Sequence, residues 1–97
     1  MEKVKLYKIL KNYVENSQYK NHIKNLGIFG SIARGDQSFE SDIDIFVDLS
    51  PVKGFDLIGI KQDIEKLTGQ HVDIVTIREN MNPFLKSKIE KEGIFVR

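Results

Sequence analysis

Two short stretches, separated by a loop, most constrain how this chain can fold. The apolar run Leu26-Gly27-Ile28-Phe29 is typical of a buried strand, and Gly30-Ser31 breaks that run into a turn. We predict that Ser31 is the N-cap of a short helix that continues to Arg34. Glycine lets a phosphate approach the backbone closely, and a helix N-terminus offers unpaired amide donors. The turn and its helix are therefore predicted to bind a polyphosphate.

The second stretch begins after Ser41 and has the alternation of a strand. Positions 43, 45 and 47 are aliphatic and share one face, whereas Asp42 and Asp44 share the other face with Phe46. Phe46 indicates that this face is covered beyond the two acids. Neighbouring carboxylates repel each other, and Mg²⁺ is a cation that prefers carboxylate oxygen. We therefore predict a metal site at the start of this strand, beside the Gly30-Ser31 turn.

The rest of the chain predicts helices and strands in alternation around these two stretches. Helices are expected from Glu2 to about Glu15, from Asp56 to Thr68 after a loop at 49–54, and from Asn82-Pro83 to Gly93. Strands are expected at 70–77 and 94–96. The pattern predicts an α/β chain of the two-layer α+β kind, with one mixed sheet covered by helices mainly on one face. The apolar stripes of the first two long helices are Leu6, Ile9, Leu10 and Tyr13, and Leu57, Ile60, Ile64 and Leu67.

Asp73 interrupts the apolar run of the strand at 70–77. A lone aspartate in a strand is usually a partly exposed residue, so the strand by itself does not make it catalytic. His71 is expected on the same face as Asp73, at the surface. Asp36 and Asp48 are left out of the catalytic set: Asp36 lies in a loop, and Asp48 is about 13 Å beyond Asp44 at ordinary strand rise.

Length and composition predict a single domain, 1–97, located in the cytoplasm. Of 97 residues, 40% are hydrophobic and 30% are charged, and no apolar run approaches the length of a membrane span. The lysine-rich start lacks the hydrophobic segment of a signal peptide. The absence of cysteine excludes disulfides, thiolate zinc sites and a cysteine nucleophile. A net charge of +1 argues against strong, sequence-independent binding to nucleic acid.

Gly30-Ser31, ten intervening residues and Asp42-x-Asp44 resemble the signature of the DNA polymerase beta-like nucleotidyltransferase superfamily. The resemblance extends over nearly the whole chain and is to the minimal nucleotidyltransferases, which are often paired with a HEPN-domain toxin. It implies ATP as substrate and Mg²⁺, two ions, as cofactor. It also implies that Asp42, Asp44 and Asp73 are the catalytic and metal-binding residues. Gly30 and Ser31 would bind the β- and γ-phosphates, and Arg34 a phosphate or the departing pyrophosphate.

The resemblance further implies an antitoxin that transfers AMP from ATP to a tyrosine of a HEPN ribonuclease toxin and thereby neutralises it. The toxin would be the partner in a hetero-oligomer. Two alternatives stay open: a nucleotide-binding module that masks the toxin sterically, and an enzyme that modifies a small molecule. Three adjacent acids are costly without a cation, which weighs against the first alternative. The second alternative lacks a further domain to hold the small molecule.

Overall fold

The computed structural model describes residues 1–38, 41–50, 54–78 and 81–97, and within them it has four helices and four strands. The helices are α1 (Lys3–Asn16), α2 (Gly30–Arg34), α3 (Gly54–Thr68) and α4 (Pro83–Glu92). The strands are β1 (Ile23–Phe29), β2 (Ile43–Leu49), β3 (Val72–Thr76) and β4 (Ile94–Phe95). Each predicted element is therefore present. None of the described helices is long and apolar enough to cross a bilayer.

The described strands form one mixed sheet in the order β3-β2-β1-β4. Strand β1 pairs antiparallel with both β2 and β4, whereas β2 and β3 are parallel. Parallel neighbours need a crossover between them, and α3 is that crossover. The order leaves β3 at one edge of the sheet.

Helices α1 and α3 cover one face of the sheet, and the alternation in β2 follows from this packing. Ile43, Ile45 and Val47 are buried in the same cluster as most residues of the two apolar stripes, but Ile9 of the α1 stripe is half-buried and is not part of this cluster. One member of the predicted α3 stripe is wrong, because Leu67 is 53% exposed. The helix-side core consists of Leu6, Leu10, Tyr13, Leu26, Ile28, Ile32, Ala33, Ile43, Ile45, Val47, Leu49, Ile60, Ile64, Val72 and Val96.

Helix α4 lies on the opposite face and covers only part of it. Phe46 has no exposed surface and packs with Phe29 and Ile89 on this face. This burial confirms the prediction that the face is covered beyond the two acids. The start of α4 is also as predicted, because the Asn82 side chain accepts hydrogen bonds from the amides of Phe84 and Leu85, at 2.8 and 3.4 Å. The arrangement is a two-layer α+β fold with helices mainly on one face, as expected.

Several element boundaries differ from the prediction. Strand β1 begins at Ile23 because its polar start pairs with the end of β2, where Ile23 lies opposite Leu49. Helix α3 begins at Gly54 rather than Asp56, and β3 is shorter than 70–77. Of the loop predicted at 49–54, residues 51–53 lie outside the described residues.

Candidate active site

Strand pairing brings Asp44 and Asp73 together. The two residues are register partners in the parallel pair β2 and β3. Partners in adjacent strands lie about 4.8 Å apart, and their side chains leave the same face of the sheet. Asp42 lies directly before β2 and is exposed, and its Oδ2 is 3.6 Å from Nδ1 of His71. The structure thus places all three predicted acids at the same end of β2 and β3.

Gly30 joins the predicted phosphate turn to these acids. Phe29, the last residue of β1, is the register partner of Asp44. Gly30 follows with a φ of +73°, and a Cβ at this position would collide with the Asp44 carboxylate. Glycine is therefore required twice: it adopts the left-handed backbone without strain, and it leaves room for the carboxylate.

The predicted role of Ser31 as N-cap is wrong. Helix α2 begins at Gly30, so Phe29 is the cap residue and no side chain caps the helix. The reason is the positive φ of Gly30, which turns the chain directly from β1 into the helix. Ser31 is a half-buried residue of the first turn, next to the glycine that contacts Asp44. It is not the cap of α2, although it lies where a phosphate ligand is expected.

The electrostatics of the site centre on Asp44. Burial raises the pKa of Asp44, and the charges of Asp73 and Asp42 raise it further. Lys88 and Arg34 oppose this shift by their positive charges. Repulsion among the three acids, which the sequence predicts, therefore contributes to the raised pKa of Asp44. A bound cation would relieve this repulsion.

The donor set fits Mg²⁺. Carboxylate oxygens are its preferred protein ligands, and Asp42, Asp44 and Asp73 supply them next to a turn with room for phosphate. Among the described residues, no three acidic, histidine or cysteine side chains already surround a common point as a metal shell would. Asp42 instead faces His71. These three aspartates are the residues that would hold the ion.

Arg34 makes two ion pairs. Its Nε donates to Asp36 at 3.0 Å and its Nη1 donates to Glu92 at 2.9 Å. The hydrogen bond to Asp36, followed by that to Glu92, raises the pKa of Arg34 above its usual value. Arg34 therefore stays charged near Asp44, and its contact with a phosphate stays a prediction.

Helix α4 contributes two residues that sequence reasoning missed. Lys88 is the cation whose charge most lowers the pKa of Asp44, and Glu92 accepts from Arg34. Their spacing of four residues is a sequence signal that both lie on one side of the helix. The sequence does not show that this side of α4 lies near the acids. That follows from the packing of α4 on the sheet face that carries Asp44.

A mixed sheet that carries adjacent aspartates beside a glycine turn is the arrangement that the resemblance to nucleotidyltransferases implies. The model of the nucleotidyltransferase domain family matches residues 6–96. The chain belongs to this family, and it is a nucleotidyltransferase.

Relatives confirm the resemblance to minimal nucleotidyltransferases. A proposed protein adenylyltransferase of Methanocaldococcus jannaschii is 36% identical over 91 residues, which cover 91% of each chain. The solved structure of a proposed minimal nucleotidyltransferase superposes with a TM-score of 0.77 at 27% identity, over 97% of this chain and 95% of that chain. A similar fold occurs in the complex of a tri-AMPylated Shewanella oneidensis HEPN toxin with an MNT antitoxin, with a TM-score of 0.67 at 20% identity, over 100% of this chain and 72% of that chain.

Proposed function

We propose that this chain is a Mg²⁺-dependent protein adenylyltransferase and the cytoplasmic antitoxin of a HEPN ribonuclease toxin. It transfers AMP from ATP to a tyrosine of the toxin and so neutralises it. The observation that carries the proposal is the contact of the Asp44 carboxylate with Gly30, with Asp73 beside it in the sheet. Support for the protein acceptor comes from the relative named as a protein adenylyltransferase and from the AMPylated toxin in the similar complex.

Each residue of the site has a part in holding the reactants. Asp42, Asp44 and Asp73 would hold two Mg²⁺ ions, and bound Mg²⁺ would offset the charge of the triphosphate and favour ionisation of the attacking hydroxyl. Gly30 has no side chain to block the approach to its backbone, and with Ser31 it holds the β- and γ-phosphates. Arg34 is always charged and contacts a phosphate or the departing pyrophosphate.

Asp73 lies on the side from which a protein can approach. It is exposed, and its strand is at the edge of the sheet. The tyrosine hydroxyl loses its proton to solvent, and its oxygen forms a bond to the α-phosphorus. The bond from the α-phosphorus to the oxygen that bridges it to the β-phosphate breaks, and pyrophosphate leaves. The remainder of the site orients these atoms in line, which is the main contribution a protein makes to phosphoryl chemistry.

The test is the intact mass of the HEPN protein encoded beside the gene for this chain, after incubation with the chain, ATP and Mg²⁺. We expect adenylate-sized increments that Asp44→Asn abolishes. Asp48→Asn is the matched control, because Asp48 is a half-buried aspartate of the same strand, about 13 Å further along. The control variant is expected to modify the HEPN protein as the wild type does.

Three results would contradict the proposal. An unchanged mass in a stable complex would favour steric masking of the toxin. Equal modification by Asp44→Asn and the wild type would remove Asp44 from the site. If the mass is unchanged and no complex forms, small-molecule acceptors such as aminoglycosides become the next substrates to assay.

A further inference from the structure

We propose that the outer edge of β3 binds an extended segment of the protein substrate as an added strand, and that this segment carries the acceptor residue. The inference rests on the proposed function, since it names how the acceptor reaches that site. Three features of the described residues support it: the direction of the backbone groups of β3, the groove beside the strand, and the continuity of the edge with Asp73.

The hydrogen bonds of β3 to β2 show which of its residues face outward. The amide of Ile43 donates to the carbonyl of His71 at 3.0 Å, and the amide of Ile77 donates to the carbonyl of Val47 at 2.9 Å. Residues 71 and 77 thus turn their backbone groups toward β2. Because these groups alternate in direction along a strand, residues 73 and 75 do the same, and residues 72, 74 and 76 face the open edge.

The open part of this edge consists of Ile74 and Thr76. The amide of Val72 is already bound, because it donates to the Glu65 carboxylate at 3.0 Å. Within the described residues, the backbone groups of Ile74 and Thr76 that point outward make no hydrogen bond. Strand β3 also has no lysine or proline, two residues that commonly protect an edge from pairing.

A groove runs beside this edge, between the N-terminal halves of α3 and α4. It has a volume of about 390 Å³, and its walls include Leu57, Met81 and Leu85. The first turns of the two helices carry Phe55 and Phe84, which are 89% and 78% exposed. The walls, which also include Arg78, would by themselves suit many occupants, but the backbone donors and acceptors of the strand select an extended segment.

The position of Asp73 identifies this segment as the substrate. Asp73 directly precedes Ile74, and it is beside Asp44. In an added strand, the residue paired with Asp73 lies about 4.8 Å away, and its side chain points to the same face of the sheet. A tyrosine at that position would be directed toward the two acids, whereas its neighbours along the segment would contact the groove.

A proline at position 76 tests the added strand. Thr76→Pro removes an outward amide without removing a hydrogen bond to β2, and edge strands tolerate such a proline. Thr76→Val is the comparison, because it keeps the amide and loses the hydroxyl. With the neighbouring HEPN protein as substrate, we expect the KM of Thr76→Pro to exceed that of Thr76→Val about five- to tenfold, as for a lost hydrogen bond and its flanking contacts. The KM for ATP should not rise. Equal KM values for the HEPN protein in the two variants would overturn the proposal.

Amide hydrogen exchange of the wild-type chain tests the same edge without a variant. Binding of the HEPN protein should slow exchange at Ile74 and Thr76, and unchanged exchange at both would overturn the proposal. Protection of these amides without any transfer of AMP would support binding at the outer edge of β3 and contradict the proposed function. A dimer of the free chain that Thr76→Pro dissociates would show that a second copy occupies the edge, and would also overturn the proposal.

Discussion

Asp44 is the residue at which the requirements of folding and of nucleotide chemistry conflict. It is partly buried against Gly30, with the charges of Asp73 and Asp42 nearby. Burial, and then these charges, raise its pKa. A carboxylate whose pKa is higher in the folded state than in the unfolded state lowers the stability of the fold once it is ionised.

Asp44→Asn is therefore expected to raise the melting temperature of the metal-free chain. The destabilisation that ionised Asp44 causes is absent below the ordinary aspartate pKa of about 3.9. It grows as the pH rises toward the raised pKa of Asp44 in the folded chain, and it is complete above that pKa. The gain in Tm should accordingly be present at neutral pH and vanish at about pH 3. Thermal unfolding in EDTA at the two pH values measures it, and a loss of Tm at neutral pH would contradict this assignment.

Gly30 is needed for two separable reasons, which a matched pair of variants distinguishes. Gly30→Ala and Gly35→Ala both place a side chain on a left-handed backbone, at φ of +73° and +82°, at a cost of about 1 kcal/mol each. Only at Gly30 does the new Cβ collide with Asp44, since a Cβ at Gly35 meets open space. We expect both variants to lose stability in urea unfolding, and Gly30→Ala alone to lose AMP transfer. Equal activity of the two variants would show that the contact with Asp44 is unimportant.

Residue types and spacing predict the acids and the glycine turn, but not the partners of each side chain. Ser31 was expected as a cap because the sequence does not show that Gly30 enters the helix with a positive φ. Arg34 was expected at a phosphate, and its pairing with Glu92, far along the chain, depends on how α4 packs.

Helix α4 covers Phe46 and places Lys88 beside the site, so its stability affects the nucleotide site. The helix begins with the Asn82 cap. Asn82→Ala should destabilise the chain by about 1 kcal/mol, which corresponds to a fall in Tm of about 4–8 °C in a domain of this size. Asn82→Asp retains a capping oxygen and is the control. An unchanged Tm in Asn82→Ala would show that α4 does not depend on its cap.

Elements with a strong periodic pattern are predicted well, and their ends less well. Three of the four residues of the α1 stripe are buried and the Asn82-Pro83 start agrees with the structure, because a local pattern determines both. The polar start of β1 could not be recognised as strand, since its pairing with β2 overrides its composition. Leu67 follows the helical period of α3, but the period does not show that this end of the helix lies at the surface.

At the scale of the whole molecule, the order of the strands determines the site. Placing β2 between β1 and β3 brings Gly30 and Asp73 to opposite sides of Asp44. No local pattern in the sequence predicts this order of strands. The free edge of β3 follows from the same order, and the sequence alone did not indicate it.

The central claim is that Asp42, Asp44 and Asp73 hold the metal ion that accompanies the nucleotide. Calorimetric titration of the chain with Mn²⁺, in the presence of a non-hydrolysable ATP analogue, tests it most directly. We expect binding by the wild type and by Asp48→Asn, and an affinity at least about tenfold lower for Asp44→Asn, because a carboxylate ligand is lost. Equal affinities of Asp44→Asn and Asp48→Asn would contradict the account.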